Sequence, residues 1–426
     1  MKHKILNNKY PILNAEKGFV VSIITFFILI IMISITVGMA ALTLYRQKIS
    51  TNSVKSTQSY YGAEAGIEDA LMALRNSPSM AAKTYSLTVS NTTVDITIPA
   101  IVGTSRAIVS QGSTNNIIRK IQTVYSVNSQ GIAFNYGAQV GDGGMTMNNG
   151  SRVQGNVFSN GNITGPGTVD NNVTVSKNGN KIDGPHVIGN VLSYSCLNST
   201  VDGNLTYVVG VINRGTNTCT VAGSVNTQPN EITPEPLPIS QTQIDNWKTD
   251  ATNGSVVNGN YNIGNNQSVS LGPVKITGNL IMGNNSILTI NGTIYVVGDI
   301  IFGNTDTIRL ASSYGSLGGV IVLDGTVDTG NSSTLSGSGQ AGSYLLILST
   351  STSSSALQIS NNATGALFYA SAGTVVVNNN VQVKGLTGYR ISLNNNATII
   401  YESGLANTQF TSGPSGGWKV SSWGEQ

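Results

Sequence analysis

The sequence predicts a mainly β protein with a long N-terminal transmembrane α-helix, a small antiparallel sheet and a parallel β-helix solenoid. Three patterns predict this fold class: an uncharged apolar run near the N-terminus, alternating apolar and polar residues after it, and a repeat of about 20 residues beyond. The 426 residues include 49 Gly and roughly 48 Asn. This composition is typical of many tight turns between short strands.

The low charge excludes several classes of function. Only 10% of the residues are charged and the net charge is +3, which argues against a highly charged disordered chain and against a nucleic-acid binder. The two histidines are His3 and His186, which leaves almost no material for a histidine-based catalytic triad or a histidine-rich metal site. We therefore expect no cofactor, no metal site and no histidine-dependent catalysis.

The first element is a membrane helix. The run from Phe19 to Leu44 carries no charge. As a helix it would be about 39 Å long, more than the roughly 30 Å hydrocarbon core and too long for the apolar region of a secretory signal alone. The basic leader 1–18 favours the cytoplasm. We expect a single pass through the inner (cytoplasmic) membrane, with the C-terminal region exported.

The junction Gly18-Phe19 lies between this basic leader and the unbroken apolar helix. That arrangement resembles the prepilin leader of type IV pilins and secretion pseudopilins. The resemblance implies that a prepilin peptidase cuts after Gly18 and that Phe19 begins the mature chain. An ordinary N-terminal membrane anchor is the alternative interpretation.

One position departs from the pilin pattern. The family usually has Glu at mature position five, where this chain has Ile23. In the family that Glu is thought to neutralise the N-terminal amine of the neighbouring subunit, and a buried unpaired ammonium is costly. The departure implies either a subunit that is first in the filament or a protein that never enters one.

The helix is expected to continue past the membrane to residue 76. Small and apolar residues recur on one helix face between Tyr60 and Leu74. The segment YGAEAGIEDAL resembles the N-terminal region of PilX-like minor pilins, with a match over residues 17–76. Its three acids are interpreted as a solvated helix face rather than a carboxylate site: Glu64, Glu68 and Asp69.

A small antiparallel meander is predicted for residues 77–130. Asn76-Ser77-Pro78 ends the helix, and apolar–polar alternation then marks about four strands. A long helix followed by such a meander is the pilin architecture.

The repeat begins after residue 131. Three copies of 13 residues start at Gly259, Gly278 and Gly298, and an aliphatic-x-Gly-polar-apolar pentad recurs throughout. The period and the lack of a leucine consensus favour a parallel β-helix over a leucine-rich repeat. We predict two blocks of coils, about four or five within 131–228 and about eight within 255–403, with asparagine ladders at the corners.

Two further segments complete the expected organisation. The linker 229–254 is proline-rich and then carries a short helix capped by Ser240, whose Trp247 is expected to dock on the solenoid. The tail 404–426 is predicted to cap the open end of the solenoid with its three aromatic residues: Phe410, Trp418 and Trp423. An exposed aromatic platform for glycans is the alternative for the tail.

Cys196 and Cys219 are the two cysteines of the chain. If the region is exported, an even count predicts a disulfide, and a spacing near one repeat would place the pair on adjacent coils. Two unpaired buried thiols are the alternative.

Acids within the solenoid are candidate catalytic groups, because β-helix enzymes that cut polysaccharides use clustered carboxylates. The candidates are Asp299, Asp306, Asp324, Asp328 and Glu402. Asp324 and Asp328 are the closest pair, but Asp before Gly is ordinary turn chemistry, and the same holds for Asp142. We predict no catalytic residues, and we expect Asp324→Asn to leave folding nearly unchanged.

These patterns predict a minor-pilin-like component of a surface filament, structural or adhesive, at the filament tip or elsewhere on the cell surface. The expected partners are other pilin subunits, the pilus assembly machinery, the prepilin peptidase, the inner membrane and surface glycans, with no nucleic acid. The alternatives are a membrane-anchored β-helix enzyme acting on polysaccharides and a type II secretion pseudopilin.

Overall fold

The computed structural model describes residues 15–76, 80–100, 105–127, 129–208, 219–330, 333–360, 366–413 and 418–426. Over these residues the protein has a long N-terminal helix, a small antiparallel sheet and a solenoid of parallel strands. The predicted fold class is confirmed. The predictions for residues 1–14 and 77–79 lie outside the described residues.

The N-terminal unit consists of one helix and one sheet. Helix α1 (Ala15–Asn76) is continuous over 62 residues. Four antiparallel strands follow it, each paired with the next in the chain. They are β1 (Lys83–Val89), β2 (Thr92–Ile98), β3 (Ser105–Thr114) and β4 (Ile117–Val127). Asn115 and Asn116, at the turn between β3 and β4, both have positive φ, a conformation that asparagine tolerates in two-residue hairpins.

The C-terminal tail returns to this sheet, so its predicted role as a solenoid cap is corrected. Strand β5 (Ser129–Ile132) pairs with β6 (Thr408–Thr411), and β7 (Trp418–Glu425) pairs with β4. Trp423 therefore lies in the N-terminal sheet, while the Phe410 side chain is fully buried against the solenoid. The solenoid is inserted between β4 and β7, and we call the β5–β6 pair the neck.

The solenoid is built from short parallel strands. Before the linker they are Ala138–Met147, Arg152–Gln154, Val157–Ser159, Ile163–Thr164, Thr168–Val169, Val173–Val175, Lys181–Asp183, His186–Val187, Val191–Ser193, Ser195–Leu197, Thr200–Val201, Leu205–Val208, Thr220–Val221 and Val225–Gln228. After the linker they are Val256–Val257, Tyr261–Ile263, Ser268–Leu271, Val274–Ile276, Leu280–Met282, Ile287–Ile290, Ile294–Val296, Ile300–Ile301, Thr307–Leu310, Gly319–Leu323, Val327–Asp328, Thr334–Ser336, Leu345–Ser349, Leu357–Ile359, Ala366–Val377, Gln382–Val383, Leu386–Leu393 and Thr398–Ile400. Two short 3₁₀ turns lie at Ser312–Tyr314 and Ser403–Asn407.

Most coils contribute three short strands, one to each face, whereas in the coils around the meeting of the two blocks one long strand, such as Ala366–Val377, covers two faces. The aliphatic residues of each coil stack on those of the neighbouring coils. On one face, for example, Ile276 pairs in register with Val296, and both side chains are fully buried. Parallel strands stack about 4.8 Å apart, so the same inward position recurs from coil to coil. The inward aliphatic residues therefore form one continuous core along the stack.

The two blocks form one stack whose order in space differs from the order in sequence. The last coil of the second block contains Leu386 and Ile391, which pair in register with Ala138 and Met145 of the first coil of the first block. We call this contact the internal junction. The chain therefore enters the solenoid in the middle of the stack and builds outwards to Gln228. It then crosses to the other end and builds back to the middle.

The linker covers this crossing on the outside of the solenoid. Its helix α2 (Gln241–Gly254) has a capping box, in which the Ser240 hydroxyl accepts from the Gln243 N–H and the Gln243 side chain accepts from the Ser240 N–H. Ile244 and Trp247 are buried against the solenoid, in a second apolar cluster that includes Tyr369. Trp247 therefore packs on the solenoid, as predicted.

Asparagine ladders stabilise the corners, because each side-chain oxygen accepts a backbone N–H of the next coil. Asn260 Oδ1 accepts from the N–H of Asn279 at 2.9 Å, and Asn279 Oδ1 accepts from the N–H of Asp299 at 2.9 Å. At another corner Asn266 and Asn285 adopt positive φ, the left-handed conformation expected of such turns.

The stacking makes a direct prediction at Ile276, which is fully buried. Ile276→Asp would place an unpaired carboxylate in the core and should lower the free energy of unfolding by about 3–5 kcal/mol. The matched control is Ile281→Asp, which changes a partly exposed residue on the next face and should cost less than half as much. Denaturant unfolding of the full chain in detergent, followed by Trp fluorescence, measures both. Equal losses in the two variants would contradict an inward Ile276.

Candidate functional site

The N-terminal part of α1 is exposed and apolar. It is the one helix, among the described residues, that is long and apolar enough to cross a membrane, with a mean hydropathy of 2.9 over its most apolar window. Its hydroxyl groups donate back to the helix, for example from Thr25 Oγ1 to the Val21 carbonyl at 2.9 Å and from Ser34 Oγ to the Ile30 carbonyl at 2.8 Å. These bonds satisfy the side-chain hydroxyl groups, which would find no hydrogen-bond partner in the hydrocarbon of a membrane.

The predicted cleavage residues lie near the start of α1. Gly18 is in its first turn, and the Phe19 side chain is 68% exposed. Ile23, at the position where the pilin pattern has Glu, is also exposed on the helix surface. Cleavage after Gly18 stays a prediction.

The C-terminal part of α1 packs on the antiparallel sheet through small residues. Ala63 and Ile67 are fully buried. Side chains at Gly62 and Gly66 would clash with residues of β2 and β3, and one at Gly112 would clash with the backbone of α1. This close approach explains the small residues in the segment that resembles minor pilins.

The three acids of that segment lie on the surface of the helix. Glu68 and Asp69 are exposed and Glu64 is half-buried on the helix. Asp69 accepts a 2.7 Å hydrogen bond from the Tyr85 hydroxyl. Burial and this bond raise the pKa of Tyr85. The contact joins α1 to β1.

Asp324 connects α2 to the solenoid, so its interpretation as an ordinary turn residue is corrected. Its Oδ1 lies 2.5 Å from Lys248 Nζ of α2 and accepts from Thr350 Oγ1 at 2.6 Å, while Oδ2 accepts from the Tyr295 hydroxyl at 2.6 Å. Lys248 Nζ and Lys275 Nζ also lie 5.1 Å and 5.3 Å from the centre of the Tyr295 ring. Burial raises the pKa of Asp324, but these three bonds outweigh it and the net pKa falls below its usual value.

Glu402 makes a similar contact near the neck. It accepts from Lys384 Nζ at 2.6 Å and from the Tyr344 hydroxyl at 2.6 Å. The Lys384 bond, followed by the Tyr344 bond, lowers the pKa of Glu402, and burial together with the bond to Glu402 raises the pKa of Tyr344 to about 12. A third pair, Tyr136 and Glu235, joins the first coil to the linker at 2.9 Å.

The other candidate acids have structural partners. Asp306 is fully buried and its Oδ1 accepts from the Ser286 N–H at 2.9 Å. Asp142 forms a 2.5 Å ion pair with Lys177. The contacts of Asp306 involve Oδ1, whereas its buried Oδ2 has no hydrogen-bond partner among the described residues.

Two of the candidate acids do meet at one surface cleft, although they are not the pair predicted from sequence. Asp299 and Asp328 line it together with Ile301, Phe302 and Thr326. Asp299 Oδ1 accepts from the Thr326 N–H at 2.7 Å. Asp328 Oδ1 accepts from the Gly330 N–H at 3.0 Å. One oxygen of each carboxylate is thus used by the fold.

Cys196 and Cys219 form a disulfide, with their Cα atoms 5.8 Å apart. It joins two adjacent coils, since Thr200 pairs in register with Thr220. In the described part of the chain no group of three or more His, Cys, Asp or Glu side chains is arranged to hold a metal ion.

Sequence reasoning missed two basic residues that hold elements together. Lys248 lies on a linker helix whose partners are distant in sequence, so no local signal marks it. Arg106 is 2% exposed, and both of its terminal nitrogens donate to the Met80 carbonyl at 3.2 Å. Burial lowers the pKa of Arg106. The sequence pattern that could have identified Arg106 is a single arginine among the small and apolar residues of a strand.

Comparison with known proteins adds little at this level of similarity. No family model and no curated protein matches the chain. The competence-associated pilin ComZ from Thermus thermophilus is 10% identical, with 88% of this chain and 98% of that chain covered and a TM-score of 0.23. An ice-binding protein from an Antarctic ascomycete, Antarctomyces psychrotrophicus, is 10% identical, with coverage of 64% and 99% and a TM-score of 0.19. At these TM-scores neither likeness carries an argument about this chain.

The Asp324 contacts predict a pH-dependent loss of stability. Asp324→Asn should lower the free energy of unfolding at pH 7 by about 1–3 kcal/mol, since it leaves a partly buried ammonium without its counter-charge. Because the folded-state pKa of Asp324 is below its usual 3.8, this stabilisation is complete above about pH 5 and is lost as the pH falls through the folded-state pKa. The difference between wild type and variant should therefore shrink in acid.

Denaturant midpoints at pH 7 and near pH 2 measure this difference. Asp328→Asn is the matched control, because Asp328 is exposed and its hydrogen bonds can be accepted equally well by an amide oxygen. Equal destabilisation by the two variants, or a difference that persists unchanged in acid, would contradict the assignment.

Proposed function

We propose that the protein is a minor-pilin-like component of a surface filament, with a structural or adhesive role at the filament tip. The observation that carries this proposal is the double role of α1. One unbroken helix presents an exposed apolar part long enough to span a membrane, and then packs its other part on an antiparallel sheet through Gly62, Ala63 and Gly66.

Each part of the chain has a role in such a filament. The leader is removed by a prepilin peptidase, α1 anchors the chain in the inner membrane and then joins other pilin subunits through the assembly machinery, and the solenoid is carried to the cell surface. There its exposed faces contact surface glycans. Ile23 in place of the family's Glu suits a subunit with no neighbour above it, because no N-terminal amine then needs neutralising.

Leader processing is the first test. In cells that express a prepilin peptidase, we expect the mature protein to begin at Phe19, and Gly18→Leu to keep the leader because a bulky residue replaces the glycine before the cut. N-terminal sequencing and intact-mass measurement of the purified protein report the cut. A wild-type chain that keeps its leader as the variant does would favour an ordinary membrane anchor. The secretion pseudopilin alternative shares the cut and differs in the machinery that the protein joins.

The alternative of a polysaccharide-active enzyme is favoured by the cleft that Asp299 and Asp328 share. We propose that this cleft is not catalytic, and expect the full chain to release no reducing ends or unsaturated products from bacterial and host polysaccharides. Turnover that disappears in Asp328→Asn while the unfolding midpoint stays unchanged would establish the enzyme instead. Turnover that survives in this variant would assign the activity to another site or to a contaminant.

A further inference from the structure

One end of the solenoid stack is open. We call the first coil of the second block, residues 256–271, the leading edge. Its strands pair with the following coil, and its outer side is exposed. The core residue Val257 is partly exposed, whereas its register partner Ile276 in the next coil is fully buried. The inward aliphatic positions of this coil therefore lack a coil on one side.

The other end of the stack carries a matching strand. We call Val225–Gln228 the trailing edge. It pairs with Leu205–Val208 on one side, and Val225 stands in register with Leu205. Leu205 is 2% exposed but Val225 is 57% exposed. The exposed Val225 thus occupies a core position that has no further coil to pack against.

Neither edge carries the features that usually prevent strand edges from pairing. Natural proteins protect such edges with charged residues, prolines or bulges. The sequence has no charged residue from Ala251 to Val274 around the leading edge, and none from Cys219 to Asn230 around the trailing edge. The strands of both edges also contain no proline. Both edges are therefore competent to pair with another strand.

The molecule already contains a contact of the kind these edges would make. At the internal junction the last coil of one block stacks on the first coil of the other, although the two are far apart in sequence. Ala138 and Ile391 are fully buried there, and Arg390 Nε donates to the Gly143 carbonyl at 3.0 Å across 247 positions. Stacking a last coil on a first coil thus needs no chain connection between them.

We propose that the trailing edge of one molecule stacks on the leading edge of a second copy of this chain. Both edges lie on the same face of the solenoid, because strands of that face pair in one continuous series through the internal junction. The chain advances along the axis in one direction in both blocks. Trailing edge on leading edge therefore continues the parallel register, which stacks Thr227 on Val257 and places Val225, two residues away on the same inward side, in the column of Val274. The contact is head-to-tail and leaves a free edge at each end, so it extends to further copies.

Charge variants of the full chain in detergent micelles test this contact. We expect the wild-type mass, measured by light scattering or sedimentation, to rise with protein concentration. Val225→Asp and Val257→Lys should each reduce it to one chain, because a charge would be buried between coils. Mixing the two variants should restore association, since each has one unaltered edge and the two altered edges carry opposite charges. Ile188→Asp, at a 43% exposed residue on the side of the stack, should associate as wild type does.

The remaining outcomes overturn the proposal. Wild type that stays at one chain at every concentration excludes the contact. Association that persists in both edge variants assigns it to α1. Association that is lost in Val257→Lys alone and not restored by mixing indicates a symmetric contact between two leading edges. Unfolding midpoints confirm that each variant is folded. If Val257→Lys does not fold, the association of Val225→Asp tests the proposal by itself.

Discussion

The backbone hydrogen bonds between neighbouring coils are the constraint on which the structure depends. A coil of short strands is not stable by itself and needs neighbouring coils to satisfy its N–H and C=O groups and to cover its aliphatic residues. These hydrogen bonds require only that each coil has a neighbouring coil in space. They do not require that neighbouring coils be consecutive in the sequence. The internal junction uses this freedom, since Leu386 lies beside Ala138. The long linker with α2 is the consequence, because the chain must cross from one end of the stack to the other.

Much of the fold could be predicted from local patterns. The apolar run, the strand alternation and the repeat with asparagine corners each depend on residues close in sequence, and they gave the helix, the sheet and the solenoid. The continuity of the two blocks could not be predicted, because nothing local to Leu386 or Ala138 identifies the other as its neighbour. The partner of the tail could not be predicted for the same reason. Its aromatic residues suited a cap, but the partner of β7 is β4, at the other end of the chain.

The contacts of the candidate site also differ in whether they could be predicted from residues close in sequence. The disulfide could be predicted because Cys196 and Cys219 are separated by about one coil, so the repeat itself brings them together. The place of Asp324 could not be predicted, because its partners Lys248, Tyr295 and Thr350 come from the linker and from two other coils. An acid beside a glycine looked like an ordinary turn residue. In the structure it is the point where the linker helix is fixed to the stack.

The insertion of the solenoid through the neck has a mechanical consequence. The chain enters the stack at its middle coils and leaves from the adjacent coil, and both connections pass through the β5–β6 pair to one sheet. A pulling force between the N-terminal sheet and a partner held by the solenoid therefore acts on the middle of the stack and is shared by two connections. The terminal coils carry no tension from the neck, so such a load would not peel the solenoid apart coil by coil from an end.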